Sequence, residues 1–509
     1  MDPRQPLRGG IRIKEQKKED YDMNRENQWK SYTDSQLKEL MALAEDYKKF
    51  MTSAKTEREC VEEAVRLAEK AGCRNLEDVI AKGESLKAGD RVYAVWMKKT
   101  MALFTIGRQP LEKGMRILGA HIDSPRLDLK QNPLYEDTEM AYLDLHYYGG
   151  IKKYQWTAIP LAIHGVVAKK DGSLTEVVIG EKEEDPVFCV TDLLIHLAAK
   201  QMEKPLAKGV EGENLDLLIG SRPLVIRNAS ESDCAGKENA SDSADAGKEK
   251  APASAADLVK KMVLQILEER YGMEEEDFLS AELEVVPAGP ARDLGLDRSM
   301  VAAYGQDDRV CAYTSLDAFL KVTDPEYTSC CLLTDKEEIG SVGATGACSH
   351  FFENTAAELL NCCGDFSELK LRRCLAASRM LSSDVSAAYD PLYAEAYEKR
   401  NSAYFGRGIV FNKYTGARGK SGSNDANAEY VGWIRRAMDD RKVAFQTAEL
   451  GRVDVGGGGT IAYISAAYGM NVVDAGVAVL NMHAPMEVTS KADIYEARNA
   501  YIAFLEAQE

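Results

Sequence analysis

The sequence predicts an α/β fold, a sheet with helices on its faces, interrupted by a β-rich insertion, and three observations carry that reading. From about residue 296 onward, short apolar runs that suit buried strands alternate with segments of helical periodicity. Between about 131 and 295 the texture shifts to aromatic and β-branched alternation, as in Tyr142-Leu143-Asp144-Leu145-His146-Tyr147-Tyr148. Five polar motifs lie at the ends of strand-like runs or in loops that open helices, the edge where open α/β sheets build their sites.

The first hundred residues read as helical before the pattern switches. Thr56-Glu57-Arg58-Glu59 is a capping box, and Val61, Val65 and Leu67-Ala68 follow at helical spacing until Gly72. Strands are expected over 92–96, 102–106 and 115–120, the last delivering His121-Ile122-Asp123 at its C-terminal end. Within the β-rich stretch, 229–256 is dominated by Ser, Ala, Asp, Lys and Glu, offers little to bury, and is expected to be a flexible excursion. An amphipathic helix then runs from Asp257 through Leu258, Met262, Leu264 and Leu267 to Gly272. Beyond 296 come a helix from Arg309, a strand over 329–333, a strand near Met380, a helix from Asn427 and a strand over 472–479. The simplest division is one discontinuous α/β domain, 1–130 and 296–509, carrying an inserted β-rich domain, 131–295.

Composition narrows the function. A formal net charge of -18, from 82 acidic against 64 basic residues, disfavours nucleic acid and anionic membranes as partners and favours small molecules or peptides. The N-terminal residues lack a signal-peptide core and no apolar run approaches a membrane span, so a cytoplasmic location is expected. Eleven cysteines, an odd number without a C-x-x-C, fit neither a disulfide framework nor a thiolate zinc site. Any imidazole-bound metal must draw on six histidines.

The motifs are G-A-H-I-D-S-P at 119–125, Y-G-Q-D-D-R at 304–309, T-D-K-E-E-I-G-S at 334–341, S-S-D at 382–384 and N-M-H-A-P-M-E at 481–487. In H-x-D, a strand turns His121 and Asp123 to one face, where Asp123 or its neighbouring backbone can fix the tautomer and aim of a metal-bound imidazole. Glu337-Glu338 leaves a buried strand with two carboxylates suited to different work, one as metal ligand and one as acceptor of a proton from the attacking water. Asp307 opens a helix, where Asp also serves as an ordinary N-cap, but its two oxygens can also bridge two cations. Asp384 and His483 complete a set of one bridging Asp with a His and a carboxylate for each of two metals. This N/O donor set suits two zinc ions, with manganese or cobalt as alternatives.

These motifs, with G-G-G-G-T-I at 456–461, resemble the M18 zinc aminopeptidases, a family that includes aspartyl aminopeptidase and vacuolar aminopeptidase I, and most nearly their bacterial branch. The resemblance runs from about residue 30 to the C-terminus outside the low-complexity stretch. It implies that His121 and Asp384 hold one metal and Glu338 and His483 the other, with Asp307 bridging, Glu337 as general base and Asp123 orienting His121. It also implies a zinc-peptidase α/β/α sandwich, an insert that serves dimerisation, and dimers assembling into a dodecamer.

Two departures bear on substrate choice. Where eukaryotic members carry histidines within D-x-A-H-A-x-H-P, this chain reads Asp384-Val385-Ser386-Ala387-Ala388-Tyr389-Asp390-Pro391, and a histidine after Y-G-G is replaced by the Lys152-Lys153-Tyr154-Gln155-Trp156 run. A preference for acidic N-terminal residues is therefore not carried over.

Lys413 is a candidate partner for a substrate carboxylate, Gly457 lies in the glycine run that permits close backbone approach, and Asp454 precedes that run as a supporting acid. The loop 416–421 has the look of a phosphate loop, but Tyr414 stands where the first glycine belongs and no suitable strand precedes it. The reading is a two-metal aminopeptidase acting on short peptides through a metal-held hydroxide. A dinuclear amidase or deacetylase, and an inactive metal-stabilised assembly protein, are the alternatives.

Overall fold

The computed structural model describes residues 25–225 and 257–508, so the low-complexity stretch 229–256 lies outside the described residues. Nine strands form a mixed sheet in the order Arg74–Asn75, Arg91–Trp96, Thr100–Thr105, Thr328–Thr334, Met115–His121, Arg379–Ser382, Asn471–Gly476, Ile409–Asn412 and Phe445–Thr447. Met115–His121 is parallel to both its neighbours, so three chain segments leave the sheet at one edge, with Thr334 in register with His121 and Ser382 with Gly119.

Runs such as Cys330-Cys331-Leu332-Leu333 are apolar at every position because both sheet faces are covered. Leu118, Ala120, Cys331, Leu333 and Leu381 pack into one core with helices Gln306–Lys321, Ala428–Asp440 and Lys491–Glu506. Their neighbours Ile117, Cys330, Leu332 and Met380 pack into a second core with helices Phe351–Cys362 and Glu368–Ala377. The alternation of side chains along each strand thus splits one apolar run between two layers, giving an α/β/α sandwich. Each fully buried leucine contributes roughly 1.5–3 kcal/mol.

The capping box at Thr56 forms, with Thr56 Oγ1 accepting from the Glu59 amide at 3.3 Å and Glu59 Oε2 accepting from the Thr56 amide at 2.9 Å. The helix expected from Asp257 spans Leu258–Tyr271 and closes on Gly272 in the left-handed region. Two expectations differ in detail. Helical hydrogen bonding begins at Gln306 rather than Arg309, but Asp307 and Asp308 are themselves non-helical. The run 472–479 divides into Asn471–Gly476, in the large sheet, and Ala478–Leu480, in another sheet. The chain turns off where Gly476 passes Asp384, close enough that a Cβ would stand 1.8 Å from the Asp384 carbonyl oxygen.

A five-stranded sheet joins Arg292–Leu294, Met300–Ala303, Glu487–Ser490, Ala478–Leu480 and Ser386–Ala387. A separate seven-stranded antiparallel sheet draws its strands from Arg126–Asp137 through Ala281–Pro287 and has its own core around Leu127, Leu145, Trp156, Leu217 and Val285. Among the described residues no helix is long and apolar enough to cross a membrane. The described cysteines are free and mostly buried.

Candidate metal centre

The centre forms where the parallel strands of the large sheet end. His121 terminates its strand, Glu337 and Glu338 stand in a short 3-10 turn, Glu337–Ile339, just beyond Thr328–Thr334, and Asp384 follows Arg379–Ser382. Asp307 enters from the head of its helix. His483 comes from the turn between Ala478–Leu480 and Glu487–Ser490.

These positions converge in two overlapping groups. His121, Asp307 and Asp384 offer ligand atoms that all lie within 4.8 Å of one another, and so do Asp307, Glu338 and His483. Asp307 belongs to both. Its Oδ1 lies 3.2 Å from His121 Nε2, and its Oδ2 lies 3.2 Å from His483 Nε2. His483 Nε2 is also 3.5 Å from Glu338 Oε2, and Glu337 Oε2 stands 3.9 Å from His121 Nε2.

Each imidazole is oriented through its other nitrogen. His121 Nδ1 lies 3.0 Å from the Asp123 carbonyl oxygen and 3.3 Å from Asp123 Oδ1. His483 Nδ1 lies 2.8 Å from the carbonyl oxygen of Gly150. With Nδ1–H donated on each ring, displacement of the Nε2 proton would leave the lone pair toward Asp307, the tautomer a metal ligand needs. Asp307 is fixed in turn: its amide donates to Glu487 Oε2 at 2.9 Å, and its carbonyl accepts from Ser124 Oγ at 2.7 Å.

The electrostatics are those of an anionic cluster in a poorly hydrated place. Burial, reinforced by repulsion from Asp307 and Asp123, pushes the Glu337 carboxyl up to about 7 against the pull of His121. Burial raises Glu338 well above the carboxylate range, with Asp307 adding to it, and burial with Asp308 and Glu337 does the same to Asp384. Burial opposes ionisation of Asp307, but the two imidazoles on its oxygens outweigh that and hold it well below its usual value. Burial disfavours the His121 imidazolium, yet Asp123 and Asp307 carry it well above the ordinary histidine value.

Cations relieve such a cluster more effectively than protons can. Two oxygens of the cluster, Asp307 Oδ1 and Glu338 Oε1, are buried and accept no hydrogen bond, as donor atoms to a metal would. The donor set, two imidazole nitrogens and carboxylate oxygens, fits zinc.

The family model for the aminopeptidase I zinc metalloproteases, M18, matches residues 50–505. The chain belongs to the M18 family. A probable M18 family aminopeptidase 1 of Clostridium acetobutylicum is 58% identical over 479 residues, covering 94% of this chain and 97% of that relative. The crystal structure of an M18 aminopeptidase from Thermotoga maritima superposes with a TM-score of 0.85 at 42% identity, covering 95% of this chain and 99% of that one. The S. cerevisiae mApe1 dodecamer, 19% identical with a TM-score of 0.68 and covering 91% of this chain and 95% of that one, shares the fold. This M18 chain is accordingly a metallo-aminopeptidase of the α/β peptidase fold.

Lys413, Asp454 and Gly457, the candidate substrate contacts, stand in loops of the M18 chain. Lys413 is exposed, with Nζ 3.9 Å from Asp425 Oδ1. Asp454 is exposed in the left-handed region at φ 69. Gly457, at φ +120, packs so closely on the 416–421 loop that a Cβ would stand 2.5 Å from Ala417 Cα.

Sequence reasoning missed three contributors. Glu487 ends the last motif and accepts from the amides of both Asp307 and His483, the latter at 2.6 Å. Its spacing four residues after His483 was the available signal. Tyr148 ends a strand of the antiparallel sheet and Gly150 follows it, and only the glycine pair closing an aromatic strand hinted at them.

Proposed function

We propose that this M18 aminopeptidase works with two divalent metal ions, zinc in the first instance and manganese or cobalt as alternatives. His121 and Asp384 would hold one ion, Glu338 and His483 the other, and Asp307 would bridge them. The observation that carries this reading is the pair of 3.2 Å approaches, one imidazole to each oxygen of Asp307. Bound metals supply Lewis acidity for water and for the substrate carbonyl.

The protein's own groups do the remaining work. Glu337, beside His121 and unshared by the two ligand groups, accepts the proton of the attacking water and returns it to the leaving amine of a short peptide. Burial raises its proton affinity and bound cations would lower it, opposing pulls on a group that must gain and lose a proton. Asp123 holds the imidazole of His121, and its carboxylate accepts from the amides of Glu337 and Glu338 at 3.1 and 3.2 Å. Lys413, Asp454 and Gly457 remain candidates for the peptide's surroundings.

The Glu337→Gln variant tests the base. It should retain two metals per chain by elemental analysis while hydrolysis of aminoacyl nitroanilides falls about 10²–10⁴-fold. Retained turnover would remove Glu337 from the mechanism.

The separate sheet and core of the insert support a division into a discontinuous catalytic domain, 1–130 and 296–509, and an inserted domain, 131–295, although the insert's sheet already begins with the strand Arg126–Asp137. We infer that the insert pairs subunits and that dimers build a dodecamer; the yeast mApe1 that shares the fold is a dodecamer. The exposed side chains of Leu193, Leu194, Ile195 and Leu197 offer an apolar surface for such pairing. Light scattering should give twelve chains per particle, and a monomer would overturn the assembly.

A further inference from the structure

The strand Met140–Tyr148 of the antiparallel sheet ends against the metal centre, where Tyr148-Gly149-Gly150 touches both halves of it. Tyr148 Oη donates to Asp123 Oδ2 at 2.8 Å. That carboxylate also accepts from the Glu338 amide on Oδ2 and from the Glu337 amide on Oδ1, and Oδ1 lies 3.3 Å from His121 Nδ1. One carboxylate therefore sets the direction of an imidazole and of the whole Glu337–Glu338 turn. Two residues further along, the Gly150 carbonyl orients His483.

Tyr148 is itself held in place. It is buried, and the guanidinium of Arg126 lies over its ring at 4.0 Å from the centroid. Arg126 is anchored by Glu57 at 3.1 Å and Asp128 at 2.7 Å. The phenol is thus a fixed donor rather than a side chain that finds Asp123 by chance. The turn's amides hold one oxygen each, at 3.1 and 3.2 Å, and the phenol adds a shorter bond to Oδ2 from a different sheet, which ties the carboxylate to a frame outside the turn it positions.

We propose that Tyr148 is a positioning residue of the aminopeptidase site, holding the Asp123 carboxylate in the plane that aims His121, Glu337 and Glu338 at the metals. The inference rests on the two-metal reading above. It makes the inserted sheet part of the catalytic apparatus within a single chain. Groups that orient metal ligands typically contribute 10–100-fold to metal affinity or activity.

Tyr148→Phe in the full-length protein tests this, because it removes one hydroxyl and keeps the ring on Arg126. Its zinc dissociation constant, measured against a competing chelator, should rise about 10-fold or more. The visible spectrum of the cobalt-substituted protein should change, and kcat should fall while KM stays near the parent value. Asp123→Asn should show losses of its own, and adding Tyr148→Phe to it should cost little more, since the phenol acts through that carboxylate. Unchanged zinc affinity and cobalt spectrum in Tyr148→Phe, with two metals bound by the parent, would overturn the role of Tyr148 alone. A parent protein that binds fewer than two metals would overturn the reading beneath it.

Discussion

His121 is the last residue of a strand hydrogen-bonded to parallel neighbours on both sides, whereas His483 sits in the turn of an antiparallel hairpin, with its backbone in the left-handed region at φ 64. The side chain of His121 is 2% exposed and that of His483 is 35% exposed. The first imidazole is placed by the core of the α/β/α sandwich. The second is placed by the head of the strand Glu487–Ser490 and by the insert, through the Glu487 carboxylate on its amide and the Gly150 carbonyl on its ring. Two chemically matched ligands can thus depend on unlike parts of the fold, and their losses should be distinguishable.

The largest effects should come from removing either imidazole. His121→Ala and His483→Ala should each lower kcat/KM on the order of 10³-fold or more, because metal polarisation contributes several kcal/mol at the transition state. They should part company in stability. His121→Ala strands the buried Asp123 carbonyl oxygen that its ring bonds, which costs about 1–3 kcal/mol. His483→Ala opens a third-exposed position to water, so calorimetry should find its midpoint close to the parent. Elemental analysis should find one zinc per chain in His483→Ala. Equal destabilisation of the two variants, or loss of both metals from His483→Ala, would erase the contrast between a core-built and a loop-built half.

What was legible in the sequence follows the same division. The fold class was readable because a sheet covered on both faces leaves continuous apolar runs, such as Cys330-Cys331-Leu332-Leu333. His121, Asp307, Glu337-Glu338, Asp384 and His483 were readable as candidates because strand ends and turns leave their side chains among short recognisable motifs. The bend at Asp307 and Asp308 ahead of the helix was obscured because acids carry the same letters whether they cap a helix or hold a non-helical bend. The brace on His483 was hidden for a stronger reason. It is a backbone carbonyl 333 positions away, and a carbonyl has no identity in a sequence. Tyr148 was visible only as one more aromatic in an alternating strand.

Smaller effects should separate the two glycines of that brace. Gly149 adopts φ +75, and a Cβ there would stand 3.4 Å from Glu338 Cβ and from Pro125. Alanine is strained in that region by roughly 1–2 kcal/mol. Gly149→Ala should therefore weaken zinc binding by about 5–30-fold if the whole strain falls on the metal-loaded state. Gly150 is not in the left-handed region, and its added Cβ would stand 3.5 Å from His483 Nδ1, an ordinary contact. Gly150→Ala keeps the carbonyl that orients the ring, so its zinc affinity in the same chelator competition should stay within about twofold, below the scale on which outer contacts to metal ligands act. If Gly150→Ala instead weakens binding more than Gly149→Ala, the brace acts on His483 by packing. The reverse order places its effect in the backbone path that joins the antiparallel sheet to the Glu338 side of the centre.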